Sequence, residues 1–229
     1  MLDELKTSVY KANLDLVKND LVISTFGNVS GFDHESNLIV IKPSGVPADK
    51  LEVENMVIVD MDGKAVEGKL KPSSDTPTHL ILYKNFPSIR GIVHTHSEWA
   101  TCWAQAGKSI PPLGTTHADH FYGEIPCTRK MTKEEIENKY EEKTGDLIVE
   151  TFKNINPDEM PAVLVNSHGP FIWAKSPGEA VQIAVILEEV AKIALYTSLL
   201  GDIKEINKDL LKKHFFRKHG SDAYHGQDT

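Results

Sequence analysis

An apolar run beginning at Ile89 carries the chain through Gly91, Ile92 and Val93 into His94, Thr95, His96 and Ser97. A run this short and this apolar, closed by a polar turn, reads as a buried strand. Side chains two apart on a strand share a face, so His94 and His96 project together from its end. Their Cα atoms stand roughly 7 Å apart, close enough for both imidazoles to reach one ion at the usual Zn–N distance of about 2.0–2.1 Å. Taken alone, the pair serves equally well as two ordinary histidines where a strand meets a loop.

The surrounding segments favour the metal. Asp75 lies upstream in Pro72-Ser73-Ser74-Asp75-Thr76-Pro77, and His168 follows a second apolar run, Ala162 to Val165. Three histidines at strand ends with one carboxylate form a nitrogen and oxygen donor set that suits Zn, with Mn, Fe or Co compatible. The only two cysteines, Cys102 and Cys127, are isolated from each other and from these positions. A structural zinc site more often uses thiolates, so a thiolate-poor set points to catalysis. The same two cysteines give no disulfide framework and fit a reducing compartment.

Charge narrows the class of partner. With 25 Lys and Arg against 33 Asp and Glu, the net charge is −8, which offers no general basic field for nucleic acid and favours a small molecule. The N-terminus shows neither a basic leader nor an apolar signal core, and no stretch approaches the ~20 apolar residues of a membrane span. A cytoplasmic protein without membrane contact is expected.

The 229 residues read as one α/β domain, a sandwich with a central mixed, mainly antiparallel sheet flanked by helices. Leu2, Leu5, Val9, Ala12 and Leu16 recur at helical spacing. Asp60-Met61-Asp62-Gly63 between two apolar segments is a hairpin signal. It resembles the start of a calcium loop but lacks the later ligands and the closing Glu. Thr76-Pro77 opens a helix that sets Asp75 at its N-terminus, and His79 reads as held in a helix–sheet interface. Ser97 is a candidate cap for a helix stopping near Gly107. Gly114 to Tyr122 is dense in titratable groups and without a clear period, an active-site loop. Thr132 with Glu135 is a capping box expected to open one long helix towards Lys153, and Ser176 to Glu179 repeats the device for a helix ended by Gly201. The basic run from Lys212 to His219 reads as a solvated helix face.

Taken in order, Gly27-Asn28-Val29-Ser30, Lys42-Pro43-Ser44-Gly45, Pro72 to His79, His94-Thr95-His96, Gly114 to Asp119 and Ser167-His168-Gly169-Pro170 resemble the L-ribulose-5-phosphate 4-epimerases of the metal-dependent class II aldolase/epimerase superfamily. The resemblance spans nearly the whole chain, so residues 1–229 form one such domain, with 204–229 a C-terminal helix and tail reaching a neighbouring subunit. It implies one divalent metal per subunit, usually Zn2+ with Mn2+ or Co2+ possible, surrounded by Asp75, His94, His96 and His168. Gly27, Asn28, Lys42, Ser44, Gly45, Ser73 and Ser74 would line a pocket for a pentulose 5-phosphate. The residue types agree, because Lys supplies a point charge and hydroxyls, backbone N–H groups and a helix start supply donors. The related fuculose- and rhamnulose-phosphate aldolases carry Glu where this chain has Asp75, which favours epimerase over aldolase; a metal-binding relative without catalysis is the remaining alternative.

By the same resemblance the reaction is a retro-aldol cleavage of C3–C4, rotation of the aldehyde and re-addition, in the pathway of L-arabinose catabolism. It needs two proton carriers on opposite sides of C4. Asp119 matches one, and a tyrosine near the C-terminus is the other, both entering from a neighbouring subunit of a C4 homotetramer. The family's ending resembles Ala-Tyr-Tyr-Gly-Gln, whereas this chain has Ala223-Tyr224-His225-Gly226-Gln227. His225 occupies the tyrosine's position, and Tyr224 reaches it only by a one-residue shift of the tail.

Overall fold

Among the described residues seven strands form one sheet: β1 (Asn28–Asp33), β2 (Leu38–Ile41), β3 (Val57–Asp60), β4 (Ala65–Glu67), β5 (Gly91–His94), β6 (Ala162–Val165) and β7 (Gly169–Ala174), in the spatial order β4-β3-β2-β1-β5-β7-β6. This is a computed structural model, and it describes residues 2–220 and 223–224. Each ladder is antiparallel. Parallel pairing, which the expected mixed sheet allowed, is confined among the described residues to the bridge between Cys127 and Leu164. For three of the six pairs, β1–β2, β3–β4 and β6–β7, the physical reason is connectivity: turns of three or four residues join them, and a short turn can only reverse direction.

Among the described residues there are eight α-helices: α1 (Leu2–Lys18), α2 (Thr76–Asn85), α3 (Glu98–Ala106), α4 (Thr115–Ala118), α5 (Lys133–Glu137), α6 (Tyr140–Thr151), α7 (Pro177–Leu199) and α8 (Lys208–His219). α7 packs on both α1 and α3, and the three lie against the sheet, while α2 and α6 pair with each other. Both faces are covered, and Val29, Ile92, Val93 and Ile172 on inner strands are fully buried, as is Val163 on the edge strand β6. On the α1 and α7 face, Gly31 pairs with Gly91. A Cβ on Gly91 would lie 2.4 Å from the backbone of Ser176, so the start of α7 rests directly on the strand. On the other face Ser30 Oγ bonds to His79 Nδ1 (2.7 Å) and Tyr83 Oη (2.8 Å), tying α2 to β1 and holding His79 in the interface where it was expected. No described helix is long and apolar enough to cross a membrane.

Several local expectations change. The helix expected from Thr132 towards Lys153 is two helices, because Asn138 is extended and Lys139 left-handed at φ 55°. Its capping box forms as expected. Ser97 precedes α3 without capping it by its side chain. Glu188 of α7 takes over, accepting from Trp99 N (2.6 Å) and Ala100 N (3.0 Å), since a full carboxylate satisfies two orphan donors at once. The loop from Gly114 contains the single turn α4. The basic run is not a solvated face: Phe215 is buried, and His214, Arg217 and Lys218 turn towards Asp119.

Candidate metal centre

The antiparallel register gathers the site at one rim of the sheet. β1 begins there and β5 ends there, with Asn28 opposite His94. β7 also begins there, setting Phe171 opposite His94, and the turn from β6 carries His168. Ser30 opposite Ile41 brings the end of β2, and hence Lys42, to the same rim. Gly27 is the hinge into β1. At φ +84° it suits only glycine, and a Cβ there would meet Val22 at 2.6 Å and the His94 carbonyl at 3.0 Å.

His94, His96 and His168 each offer a ring nitrogen within 4.8 Å of the others. Their ring centroids form a near-equilateral triangle of 5.0, 4.7 and 4.9 Å with steep mutual angles. His94 stacks on Phe171 and its Nδ1 donates to the Pro170 carbonyl at 2.9 Å. A carbonyl only accepts, so Nδ1 carries the proton and Nε2 keeps its lone pair. Burial pushes His94 down to about 3 and His168 down to about 3, in each case reinforced by neighbouring imidazoles. It lowers His96 as well, against the pull of Asp75. Three neutral imidazoles at short range are the protonation state a divalent cation requires, so the residues present fit a metal.

Asp75 lines the same cavity beside the cluster, and Asn28 Nδ2 donates to its Oδ2 at 2.7 Å. Asn28 Oδ1 is buried with no hydrogen-bond partner among the described residues. The cavity, of about 330 Å³, is also lined by Gly27, Lys42, Ser44, Gly45, Ser73 and Ser74. Ser73 N donates to Lys42 O and Ser44 N to Lys71 O, so the two loops that carry these residues are zipped together. Lys42 is only 6% exposed. Burial holds its ammonium below the ordinary lysine range, and among the described residues its one polar contact is the Pro43 carbonyl at 3.4 Å. A buried ammonium without a carboxylate is costly and marks a place for an anion.

Two of the expected proton carriers, Asp119 and Tyr224, lie outside the lining of this cavity. Asp119 is not among the residues lining the cavity. It accepts from His214 (2.9 Å) and Arg217 (3.1 Å), with Lys218 Nζ at 3.4 Å. Partial burial works against its charge, but His214 and Arg217 outweigh it and hold the carboxyl below the usual range. Tyr224 is 65% exposed, its ring 4.9 Å from Lys213 Nζ. His225 lies outside the described residues. Two neighbours of the cluster carried no sequence signal. Phe26 stacks nearly parallel on His96 at 5.7 Å, and Tyr140 Oη is 3.4 Å from His168 Nδ1.

The family model of the class II aldolase and adducin N-terminal domain matches residues 7–195. Proteins from Salmonella paratyphi A and Salmonella typhi, each named L-ribulose-5-phosphate 4-epimerase UlaF, are 52% identical over 227 residues, covering 99% of this chain and 100% of theirs. A solved L-fuculose 1-phosphate aldolase superposes with a TM-score of 0.79 at 26% identity, over 92% of this chain and 94% of that one. Matched from end to end by such relatives, and with the three-histidine rim at its centre, the chain belongs to the class II aldolase superfamily and, within it, to the L-ribulose-5-phosphate 4-epimerase family.

Proposed function

We propose that this protein interconverts L-ribulose 5-phosphate and D-xylulose 5-phosphate as a metal-dependent 4-epimerase, with zinc as the ion. The observation that carries the reading is one cavity in which three neutral imidazoles share walls with a buried lysine that has no carboxylate partner among the described residues. One end suits the oxygens of a sugar and the other its phosphate. The naming of relatives matched over 99% of the chain supports the choice of sugar. Phosphorylated sugars are retained inside cells, which makes the cytoplasm the working compartment.

In this ketose the C2 carbonyl acidifies the C3 hydrogen but not the C4 hydrogen, so C4 inverts only if the skeleton opens. Removing the proton of the C4 hydroxyl lets C3–C4 break, and its electron pair passes to C3 and into the C2 carbonyl. Glycolaldehyde phosphate turns its other face, the bond re-forms, and the new C4 oxygen regains a proton. His94, His96 and His168, with Asp75 beside them, would hold a divalent ion, which when bound would supply Lewis-acid polarisation of the carbonyl. Lys42, with Ser44, Gly45, Ser73 and Ser74, grips the phosphate while the aldehyde rotates. Asn28 steadies the Asp75 carboxylate and offers its unpartnered Oδ1 to a sugar hydroxyl.

Two proton carriers must face C4 from opposite sides. Asp119 serves one side and the tail, through Tyr224 or His225, the other. Asp119 is bonded to α8 and does not line its own chain's cavity, which supports its acting in a neighbouring copy; the tail acts there with it, within a cyclic tetramer. Exposed Tyr196, Leu199 and Leu200 near the end of α7 supply apolar surface for such association.

The likeness to L-fuculose 1-phosphate aldolase supports net cleavage as a second reading. Incubating the purified protein with L-ribulose 5-phosphate decides between them. D-xylulose 5-phosphate should form, disappear with chelator and return with added Zn2+. Dihydroxyacetone and glycolaldehyde phosphate accumulating instead would make the enzyme an aldolase, and no conversion by a zinc-loaded protein would leave a metal-binding relative.

A further inference from the structure

The polar partners of the three imidazoles differ. His94 has the Pro170 carbonyl on Nδ1. Among the described residues, the one polar side-chain partner of His168 is the hydroxyl of Tyr140, 3.4 Å from Nδ1, with the two rings tilted by 38° at 6.2 Å. Tyr140 is the first residue of α6 and does not line the cavity.

Its position is held from several sides. Thr78 Oγ1 of α2 donates to the Glu141 carbonyl at 2.6 Å, and Thr144 Oγ1 donates to the Tyr140 carbonyl at 2.9 Å. One turn on, a Cβ at Gly145 would lie 2.8 Å from Ile81 Cβ, so α6 sits in close backbone approach to α2. The restart of the helix at Tyr140 requires Lys139 in the left-handed region at φ 55°, a conformation that costs a non-glycine residue about 1–2 kcal/mol. A continuous helix from Thr132 would be locally cheaper but would carry Tyr140 on a different course. Strain at such a point is the kind that surrounding structure sustains next to functional groups.

We propose that Tyr140 is a positioning residue of the metal centre: its hydroxyl accepts from His168 Nδ1–H, so that Nε2 is the lone-pair nitrogen presented to the ion. A tyrosine hydroxyl can donate or accept. Donation to Nδ1 would leave the proton on Nε2 and consume the lone pair facing away from it, so only acceptance leaves a ligand. His94 shows the same arrangement with a carbonyl as acceptor. Such outer partners fix ring orientation and ligand basicity, and losing one typically weakens metal binding about 10–100-fold.

The inference rests on the metal centre proposed above, and the test separates the two. Zn2+ affinity is measured by competition with a chromophoric chelator for the full chain and for Tyr140→Phe, which keeps the ring and its packing. Long-range 15N NMR of the zinc-free full chain reports the tautomer of His168. The expected result is a single Nδ1–H tautomer, and Zn2+ binding about 10–100-fold weaker in Tyr140→Phe with a scrambled tautomer. If the full chain binds no Zn2+, the metal centre itself is wrong and this inference falls with it. If the full chain binds Zn2+ and Tyr140→Phe binds it equally, with the tautomer unchanged, only the role of Tyr140 is overturned. Should Tyr140→Phe fail to fold, the tautomer of the unaltered chain still decides, since an Nε2–H imidazole is incompatible with the proposal.

Discussion

Lys42 and His79 show how burial assigns opposite tasks to two ionisable side chains. The Lys42 ammonium is nearly enclosed and, among the described residues, meets only a distant carbonyl, which fits the grip on the phosphate proposed above. A charge-assisted hydrogen bond contributes about 1.5–3 kcal/mol. Lys42→Met should therefore lower kcat/KM for L-ribulose 5-phosphate about 10–100-fold while leaving turnover of free L-ribulose unchanged. Steady-state kinetics on both sugars checks this, and equal losses would make Lys42 structural. His79 is fully enclosed, and burial pushes it down to about 3. Its unfolded value is near 6.5, so between pH 6.5 and about 3 the unfolded chain binds a proton that the folded chain does not. Stability is then complete above that window and falls as pH drops through it, by about 1.4 kcal/mol per pH unit for this group. Urea unfolding of the zinc-free protein from pH 7 to pH 4 should show the decline, with a shallower slope in His79→Gln. An identical slope in both proteins would assign the proton uptake to other groups.

Among the elements, β5 is the one on which most depends, since it lies between β1 and β7 and ends in His94. Its approach to α7 is set by Gly91, whose φ is not in the left-handed region, so alanine there meets a steric objection alone. The obstacle is the Ser176 and Pro177 backbone rather than a flexible side chain, so α7 has to lift from the sheet. Overpacking of this kind costs about 1–3 kcal/mol. Gly91→Ala should lower the urea midpoint accordingly and weaken Zn2+ binding, because the displaced strand carries one of the three imidazoles. A variant with the midpoint and zinc affinity of the parent would show that the interface gives way freely.

For the whole molecule, the decisive fact is separation: the imidazoles and Lys42 share one cavity while Asp119 is bound by α8. If neighbouring copies complete each site, an Asp119→Asn protein and a His96→Ala protein are each inactive for different reasons. Co-refolding the two should then restore activity, since a mixed interface joins an intact metal site to an intact carboxylate. Unrestored activity in proven mixed oligomers would place the whole site within one chain.

Much of this was legible in the residues because the motifs are local. Strand ends marked by His94-Thr95-His96 and Ser167-His168-Gly169, and glycine and serine loops beside Lys42 and Asp75, announce themselves within a few positions. The eleven residues assigned to metal and phosphate all line one cavity. What no local pattern carries is long-range. Glu188 caps α3 from 89 positions away, and Tyr140 meets His168 from 28 away. A left-handed Lys139 overrides a capping box that by itself promises a longer helix. The basic run of α8 reads as solvated until Asp119 is brought against it, 95 residues distant. Periodicity and turn chemistry act over one or two turns of chain, so they determined the strands, most helix starts and the ligand types. Register and helix packing act across the fold, and they alone decided which carbonyl, carboxylate or hydroxyl each of those side chains would meet.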